Sequence, residues 1–176
     1  LAVIHRLDQP VEGILVFGKT KNAAASLTRQ LTRNGFKKYY EAMAEGTPPA
    51  ASGTLTDYLI RDGRTNCSAV CSPDTLGSKK AVLEYQVLAQ YETNGKCLSH
   101  LRIQLQTGRH HQIRVQFSHA GCPLFGDRKY NPDGIPVSRL YLCACQLDFL
   151  HPSTGKLLHF EIQPFFYEEF DKSSPS

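Results

Sequence analysis

The sequence predicts an α+β fold built on a largely antiparallel sheet, and three observations lead to this prediction. Apolar or alternating segments typical of strands outnumber the helical patterns. The strands follow one another in hairpin-like pairs rather than alternating regularly with helices. At 176 residues, 41% of them hydrophobic, the chain has the size of one ordinary domain with a sizeable core.

Eight segments of the chain carry a strand pattern. The clearest pair lies on either side of Thr93-Asn94-Gly95-Lys96, because Asn-Gly is a strong signal for a two-residue hairpin turn. In the second strand of this pair, Leu101 and Ile103 alternate with polar residues, which predicts one buried and one solvated face. The predicted strands occupy residues 1–4, 13–17, 38–44, 55–60, 81–89, 98–106, 139–149 and 156–163.

Two segments carry a helical pattern. Thr20 or Asn22 caps the first, an amphipathic helix for which Gly35 provides the end. The second is predicted at residues 111–120. Residues 61–80 are rich in glycine, serine and charge with little periodicity, so they predict a long exposed loop, and a loop of that length is often functional.

The composition restricts the classes of protein to consider. A net charge of +4 and a pI of about 8.7 permit a polyanionic partner without requiring one. The six cysteines lack the spacing of a zinc site, and a domain of this size does not need disulfides. We therefore expect reduced thiols, no metal and a cytoplasmic protein. No apolar run approaches the roughly 20 residues of a membrane span, so no membrane partner is expected.

The domain organisation follows from the ends of the chain. We expect one domain at residues 1–170 and a frayed tail at residues 171–176. The sequence begins inside an apolar run without Met, so we expect further native sequence upstream. We also expect the protein to be monomeric.

A single aspartate follows the first predicted strand, in His5-Arg6-Leu7-Asp8. Asp8 is either a turn residue or a nucleophile or acid–base group held at a strand end, where loops present catalytic groups. Arg114 favours the second interpretation. A carboxylate withdrawn from water needs a cationic or hydrogen-bonding partner to stay ionised, and arginine offers a planar, permanently charged one. We therefore expect a direct contact between Asp8 and Arg114.

An aromatic residue in the predicted strand 38–44 is a candidate for stacking on a base. Tyr40 shares one strand face with Lys38 and Ala42, whereas Tyr39 points to the other face. Tyr40 is either a core residue or a platform for an extruded base, a contact that contributes about 1–3 kcal/mol per base.

Cationic and protonatable side chains crowd residues 107–114, at the start of the second helix. Thr107-Gly108 would cap this helix, and its free N–H groups would form an anion site together with Arg109. A solvated basic face would have the same composition. Arg6 is likewise either a surface arginine or a side chain that fills the gap left by a flipped nucleotide. Together with Asp8, these groups predict an enzyme that acts on nucleic acid.

Five motifs follow one another between about residue 3 and residue 165. They are His5-Arg6-Leu7-Asp8 followed by Gly13, Lys38-x-Tyr40-x-Ala42, Thr107-Gly108-Arg109-x-His111-Gln112-Ile113-Arg114-Val115, Gly121-x-Pro123-x-x-Gly126-Asp127-x-x-Tyr130, and the closing strand pair around His151-Pro152. In type and order they resemble the motifs of the RluA-type pseudouridine synthases. The resemblance implies a catalytic domain with a mixed, mostly antiparallel sheet, a few flanking helices and an RNA-binding cleft across the sheet.

The resemblance also implies an activity, which is the isomerisation of uridine to pseudouridine in ribosomal or transfer RNA, without a cofactor or a metal. Asp8 matches the catalytic aspartate that attacks the flipped-out nucleotide. Tyr40 matches the tyrosine that stacks on the base and is assigned to removing the proton from C5, and Arg114 matches the arginine paired with the aspartate. Ile113 matches the apolar residue beneath the pocket, and Arg6 matches the arginine that enters the RNA stack.

Two further positions, Arg109 and His111, match residues that contact the phosphates or brace the cleft. The sequence also departs from the family pattern. Val11-Glu12-Gly13 stands where Thr-Ser-Gly is usual, and His110 stands where Thr or Ser is usual. Glu12 would oppose a phosphate if it faced the cleft.

Two alternatives to an active synthase stay open at this point. One is a catalytically weak or inactive relative that binds RNA as a chaperone or assembly factor, and Glu12 is its main support. The other is a hydrolase that uses Asp8 with His110 or His111 as the base, which requires a histidine within hydrogen-bond reach of the nucleophile or of a water.

Overall fold

The computed structural model describes residues 1–33 and 35–171, and within them one large sheet organises the chain. The strands, in chain order, are β1 (Ala2–Val3), β2 (Glu12–Gly13), β3 (Phe17–Gly18), β4 (Lys37–Glu45), β5 (Ser52–Asp62), β6 (Cys67–Val70), β7 (Lys79–Thr93), β8 (Lys96–Leu105), β9 (Leu142–Leu150) and β10 (Leu157–Glu161). The helices are α1 (Lys21–Thr32), α2 (Gln112–His119) and α3 (Tyr167–Asp171).

The large sheet has the strand order β10-β9-β4-β8-β7-β5-β6, and β2 pairs with β9 beside it. Among the described strands, the β2–β9 pair is parallel and every other pair is antiparallel. The predicted α+β class with a mixed, mostly antiparallel sheet is therefore confirmed.

The middle of β4 is buried on both faces of the sheet. Ala42 packs in a core with Ile113 and Phe117 of α2. Met43 packs on the opposite face in a second core that contains Phe166 and Tyr141. Because this strand is fixed from both sides, it provides a rigid base for the side chains at its beginning.

The β7–β8 hairpin turns at Asn94 and Gly95, both with positive φ (52° and 72°), as the sequence predicts. The prediction of a long loop at residues 61–80 is wrong in part. Cys67–Val70 forms β6, which pairs with the end of β5, and β7 begins at Lys79. A four-residue edge strand is too short to show a periodic pattern, which explains why the sequence reads as loop.

The predicted continuous strand at residues 13–17 is also wrong. Glu12–Gly13 pairs with β9, whereas Phe17–Gly18 pairs with β1. Gly13 has a φ of 148°, and a Cβ atom there would lie 2.4 Å from the Cβ of Ala144. Glycine at this position lets the N-terminal segment dock directly on β9, and this docking fixes the loop that precedes Gly13 beside the sheet.

The start of α1 agrees with the prediction, whereas the end of α1 and the start of α2 do not. Thr20 caps α1 as predicted, since its Oγ1 accepts a hydrogen bond from the N–H of Ala23 at 3.1 Å. The helix ends at Thr32 and its C-cap residue is Arg33. Gly35 therefore lies two residues after the cap, not directly after it as predicted. The predicted cap of α2 at Thr107-Gly108 is wrong, because His111 occupies that place in a left-handed conformation.

Two further predictions concern a membrane span, which the sequence does not predict, and a frayed tail at residues 171–176. Within the described residues, no helix has the length and apolar character needed to cross a bilayer. Of the predicted tail, Asp171 is the last residue of α3, and residues 172–176 lie outside the described residues. The single-domain boundary at residue 170 stays a prediction.

Candidate active site

A cleft of about 900 Å³ opens between the N-terminal segment, the first residues of β4, the end of β8 and the turn before α2. This volume lies in the range of pockets that enclose small molecules or parts of larger ones. All seven residues that the sequence selects line it, namely Arg6, Asp8, Tyr40, Arg109, His111, Ile113 and Arg114.

Positively charged side chains outnumber negatively charged ones among the described residues that line the cleft. Asp8 is the one carboxylate among the described lining residues, whereas six lysines and arginines surround it. The cations are Arg6, Lys37, Lys38, Arg61, Arg109 and Arg114. A concave surface with this balance attracts a polyanion and leaves a single acidic group at which chemistry can take place.

Arg114 does not pair with Asp8, so the predicted contact between them is wrong. Its Nε and one terminal nitrogen donate to the two carboxylate oxygens of Asp127, each at 2.7 Å. Arg114 and Asp127 are 3% and 1% exposed. Burial alone would lower the pKa of Arg114, but the hydrogen bonds and the charge of Asp127 outweigh it and raise the pKa. The remaining nitrogen, Nη1, is buried and has no hydrogen-bond partner among the residues that the structure describes.

Asp8 is held by the backbone of the turn before α2. Its Oδ2 accepts a hydrogen bond from the backbone N–H of His111 at 3.2 Å. His111 has φ 54° and ψ 23°, a left-handed conformation that is uncommon for a residue with a side chain. Strained backbone of this kind is often found where a site needs a group in one position. Here the contact leaves one oxygen of Asp8, Oδ1, without a partner among the described residues.

The side chain of His111 is fixed by Tyr130. The Tyr130 hydroxyl accepts from the N–H of Ser68 at 2.8 Å and lies 2.7 Å from Nδ1 of His111. The Tyr130 hydroxyl keeps an acceptor for its own proton when it donates to Nδ1, and this places the imidazole proton on Nε2, 3.9 Å from Oδ2 of Asp8. Burial, followed by the charge of Arg114, lowers the pKa of His111 to about 4, so the ring is neutral at neutral pH. In this tautomer Nε2 is not free to accept a proton.

Tyr40 lies on the cleft side of β4 as predicted. It packs against the core that contains Ile113, which lies 4% exposed at the cleft, whereas Tyr39 packs in the core on the opposite face. The guanidinium of Arg102 covers the ring of Tyr39 at 4.9 Å. Burial and then the negative charge of Asp8 raise the pKa of Tyr40, so its hydroxyl is protonated at neutral pH.

His110 and His111 stack on each other, with ring centroids 3.8 Å apart. Nδ1 of His110 lies 2.9 Å from Oγ of Ser68. Asp8, His110 and His111 each offer one ligand atom within 4.8 Å of the others, so these three are the described residues with the spacing to hold a metal ion. They are not the cysteines whose spacing the sequence analysis considered.

Three further predicted positions differ in exposure. Arg6 is exposed at the cleft. Arg109 is exposed too, and its Nε donates to the carbonyl of Lys80 at 2.9 Å. Glu12 is not among the residues that line the cleft, and its carboxylate accepts from the N–H of Phe165 at 3.3 Å. The charge that favoured an inactive relative therefore points toward the C-terminal segment.

Sequence reasoning missed three residues that position the site, which are Asp127, Tyr130 and Gln112. Oε1 of Gln112 accepts from Oγ1 of Thr107 at 2.8 Å and from the N–H of Arg109 at 2.9 Å, and Nε2 donates to the carbonyl of Val82. This side chain ties the turn before α2 to β7. All three residues belong to the motifs quoted in the sequence analysis. The motifs could therefore have indicated these positions, but they do not show which groups the side chains contact.

Comparisons with known proteins agree with one another. A sequence profile of the family described as "RNA pseudouridylate synthase" matches residues 1–119. The chain is 36% identical over 160 residues to an "Uncharacterized RNA pseudouridine synthase" of Chloroflexus aurantiacus, covering 90% of this chain and 48% of that protein. It is 34% identical over 171 residues to the "Ribosomal large subunit pseudouridine synthase D" of Neisseria meningitidis serogroup B, covering 90% of this chain and 44% of that protein.

A solved structure also matches. Human RNA Pseudouridylate Synthase Domain Containing 1 aligns with a TM-score of 0.82 at 25% identity, over 97% of this chain and 72% of that one. The chain spans about half the length of the curated relatives that it matches.

The low pKa of His111 predicts a dependence of stability on pH. The unfolded chain takes up a proton on this histidine near pH 6.5, and the folded protein does so only near pH 4. The free energy of unfolding therefore falls as the pH is lowered through this window. His111→Asn removes the group, and asparagine suits a left-handed backbone. Urea denaturation at about pH 7 and about pH 5 should show a drop roughly 2 kcal/mol larger for the wild type than for the variant. Equal drops would contradict the buried, neutral imidazole.

Proposed function

We propose, because this chain belongs to the RluA-type family of RNA pseudouridylate synthases, that it isomerises uridine to pseudouridine in RNA. The observation that supports this most strongly is the composition of the cleft. It combines one carboxylate, Asp8, with six cations and the ring of Tyr40. The cations suit the phosphates of RNA, and the pocket suits a nucleotide taken out of the stack.

Ribosomal RNA of the large subunit is the first candidate substrate, because the Neisseria relative is named for it. Transfer RNA is the second. We propose a cytoplasmic location, in agreement with the six cysteines, all of which are free. That the protein acts as a monomer stays a prediction.

Asp8 acts as the nucleophile in this proposal. Its unpartnered Oδ1 attacks the nucleotide, and the bond between the sugar and N1 of uracil breaks with its electron pair on the base. The uracil turns and forms a new bond to the sugar through C5, which releases the carboxylate. One proton leaves C5 and one is gained at N1, so substrate and product are isomers. The reaction needs no redox group and no co-reactant.

Arg114 and Tyr40 support this chemistry in different ways. Within the described part of the chain, Nη1 of Arg114 has no hydrogen-bond partner, and we propose that it donates to an oxygen of the substrate or to Asp8. The charge of Asp127 holds the rest of that guanidinium in place. Tyr40 offers the face on which the uracil stacks. Because its hydroxyl is protonated, removal of the C5 proton by Tyr40 requires that it pass its own proton on.

The contacts of Glu12 and of the two histidines beside Asp8 favour neither of the two alternative functions. Glu12, which favoured an inactive RNA-binding relative, accepts from the backbone of Phe165 and does not line the cleft. A hydrolase would need a basic nitrogen beside Asp8. Nε2 of His111 lies 3.9 Å from Oδ2 of Asp8 and carries the proton in the tautomer that Tyr130 favours. Nδ1 of His110 lies 2.9 Å from Oγ of Ser68, and burial lowers the pKa of this histidine, which makes it a weaker base.

Asp8→Asn should abolish pseudouridine formation and leave RNA binding within about threefold of the wild type, because an amide is a poor nucleophile of nearly the same shape. The measurement is pseudouridine mapping of ribosomal and transfer RNA, from cells that lack the gene, after incubation with each protein. Binding is followed by fluorescence anisotropy.

Asp133→Asn, at an exposed position outside the cleft, is the matched control and should keep wild-type activity. Pseudouridine formation by Asp8→Asn at the wild-type rate would end the assignment of the nucleophile.

Tyr40→Ala should lose far more activity than Tyr39→Ala. Tyr40 faces the cleft, whereas Tyr39 faces the core on the other side of the sheet. Loss of a stacked base costs about 1–3 kcal/mol, so binding of the flipped base should weaken by about 5- to 150-fold in Tyr40→Ala. Initial rates on the mapped RNA, with circular dichroism to check folding, give the comparison. A larger loss in Tyr39→Ala would show that the face of β4 has been misassigned.

A further inference from the structure

Lys38 lies at the beginning of β4, two residues before Tyr40 and on the same face of the strand. It lines the cleft and is half-buried. Nothing in the steps described above uses this lysine, although consecutive residues on one strand face lie only about 7 Å apart. The side chains of Lys38 and Tyr40 therefore leave β4 as neighbours on the side of the cleft.

The surroundings of Lys38 distinguish it from the other cations of the cleft. Arg114 is paired with Asp127, and Arg6, Lys37, Arg61 and Arg109 are exposed to water. Among the described residues that line the cleft, Lys38 is the cation that is both partly withdrawn from water and without an ion-pair or hydrogen-bond partner. An unpaired charge in such a place lowers the stability of the fold, and groups of this kind are retained mainly at functional sites.

One neighbour of Lys38, His5, is affected by this uncompensated charge. Burial, followed by the charge of Lys38, lowers the pKa of His5 to about 4. Nε2 of His5 is buried and has no partner among the described residues. Burial lowers the pKa of Lys38 itself. Among the described residues, no negatively charged group therefore pairs with Lys38 beside His5.

Gly108 provides the space in front of the ammonium group. Its backbone does not need glycine, since its φ is not in the left-handed region, but a Cβ atom there would lie 3.1 Å from Nζ of Lys38. A side chain at this position would require the ammonium group to shift by a few tenths of an ångström, whereas glycine leaves it room on this side. Gly108 also belongs to the turn that carries Arg109 and ends at His111, whose backbone holds Asp8.

We propose that Lys38, opposite Gly108, binds a phosphate of the nucleotide whose base stacks on Tyr40. The proposal rests on the proposed function and names a subsite within that cleft. A phosphodiester supplies the missing negative charge, and a lysine ammonium binds phosphate as a compact point charge. The contact draws the backbone of the flipped nucleotide into the cleft, so the sugar arrives at Asp8 in a fixed position.

The direct test is a binding experiment that does not depend on catalysis. Backbone amide signals of Gly108 and Arg109 are followed by ¹⁵N NMR during titration with inorganic phosphate, uridine 5′-monophosphate and uridine. Saturable shifts are expected with the two phosphate compounds and not with uridine. Lys38→Met should weaken the phosphate titrations about tenfold or more, because a charge-assisted hydrogen bond is lost. Lys156→Met, in the turn between β9 and β10, should leave them unchanged.

A stability measurement separates a binding role from a structural one. Removal of an unpaired, half-buried charge should raise the melting temperature, and Lys38→Met should therefore melt about 2 °C or more above the wild type. In the presence of RNA that the wild type modifies, the same variant should isomerise more slowly at saturating RNA. A lysine that merely supports the fold would instead lower the melting temperature on replacement.

The outcomes distinguish this proposal from the proposed function. Shifts at Gly108 that are absent, equal with uridine, or unchanged in Lys38→Met would overturn the phosphate subsite, and so would a lower melting temperature for that variant. If Asp8→Asn stays active, or no RNA is modified, the proposed function fails. The phosphate shifts at Gly108 would then still establish an anion site at Lys38.

Discussion

The buried pair of Arg114 and Asp127 is the interaction on which the rest of the site depends. Two hydrogen bonds of 2.7 Å join them, and both side chains are nearly inaccessible to water. Oδ1 of Asp127 also accepts from the backbone of Lys129 and Tyr130. The pair thus fixes Tyr130, whose hydroxyl holds His111, and the backbone N–H of His111 holds Asp8. A continuous series of contacts leads from a buried ion pair to the reactive carboxylate.

This arrangement explains how Asp8 can be held at the cleft and still be available for reaction. An arginine that donated two parallel hydrogen bonds to Asp8 would occupy both of its carboxylate oxygens. Here Asp127 takes that role, so Arg114 contributes positive charge close to Asp8 while one oxygen of Asp8 stays without a partner. The imidazole of His111, whose Nε2 lies 3.9 Å from Oδ2 of Asp8, is neutral at neutral pH and adds no charge there.

The sequence predicted the parts of the fold that local signals determine. The Asn94-Gly95 turn and the Thr20 cap depend on neighbours in the chain, and both occur. The solvated face predicted for β8 does not occur, because Ser99 and His100 are buried as well as Leu101 and Ile103. The break between Gly13 and Phe17 depends on Ala144, which lies far along the chain, so no local pattern reveals it. The short strand β6 was not predicted for a similar reason, because its pairing with β5 decides its conformation.

The residues of the site were predicted more fully than their contacts. All seven selected residues line one cleft, since the recurring motifs specify positions. The partner of Arg114 was predicted incorrectly because Asp8 and Asp127 are equivalent candidates in the sequence, and only packing of the segment at residues 121–130 against α2 selects between them. The unpaired charge of Lys38 is also invisible in the sequence, where every lysine has the same formal charge.

The most direct test of this account is a pair of double-mutant cycles measured by chemical denaturation, with Arg114→Met, Asp127→Asn and Asp8→Asn. The account predicts a coupling free energy of about 3 kcal/mol or more between positions 114 and 127, and below about 1 kcal/mol between positions 8 and 114. The reverse order would show that Arg114 belongs to Asp8, and that the series of contacts from Asp127 to the reactive carboxylate does not hold.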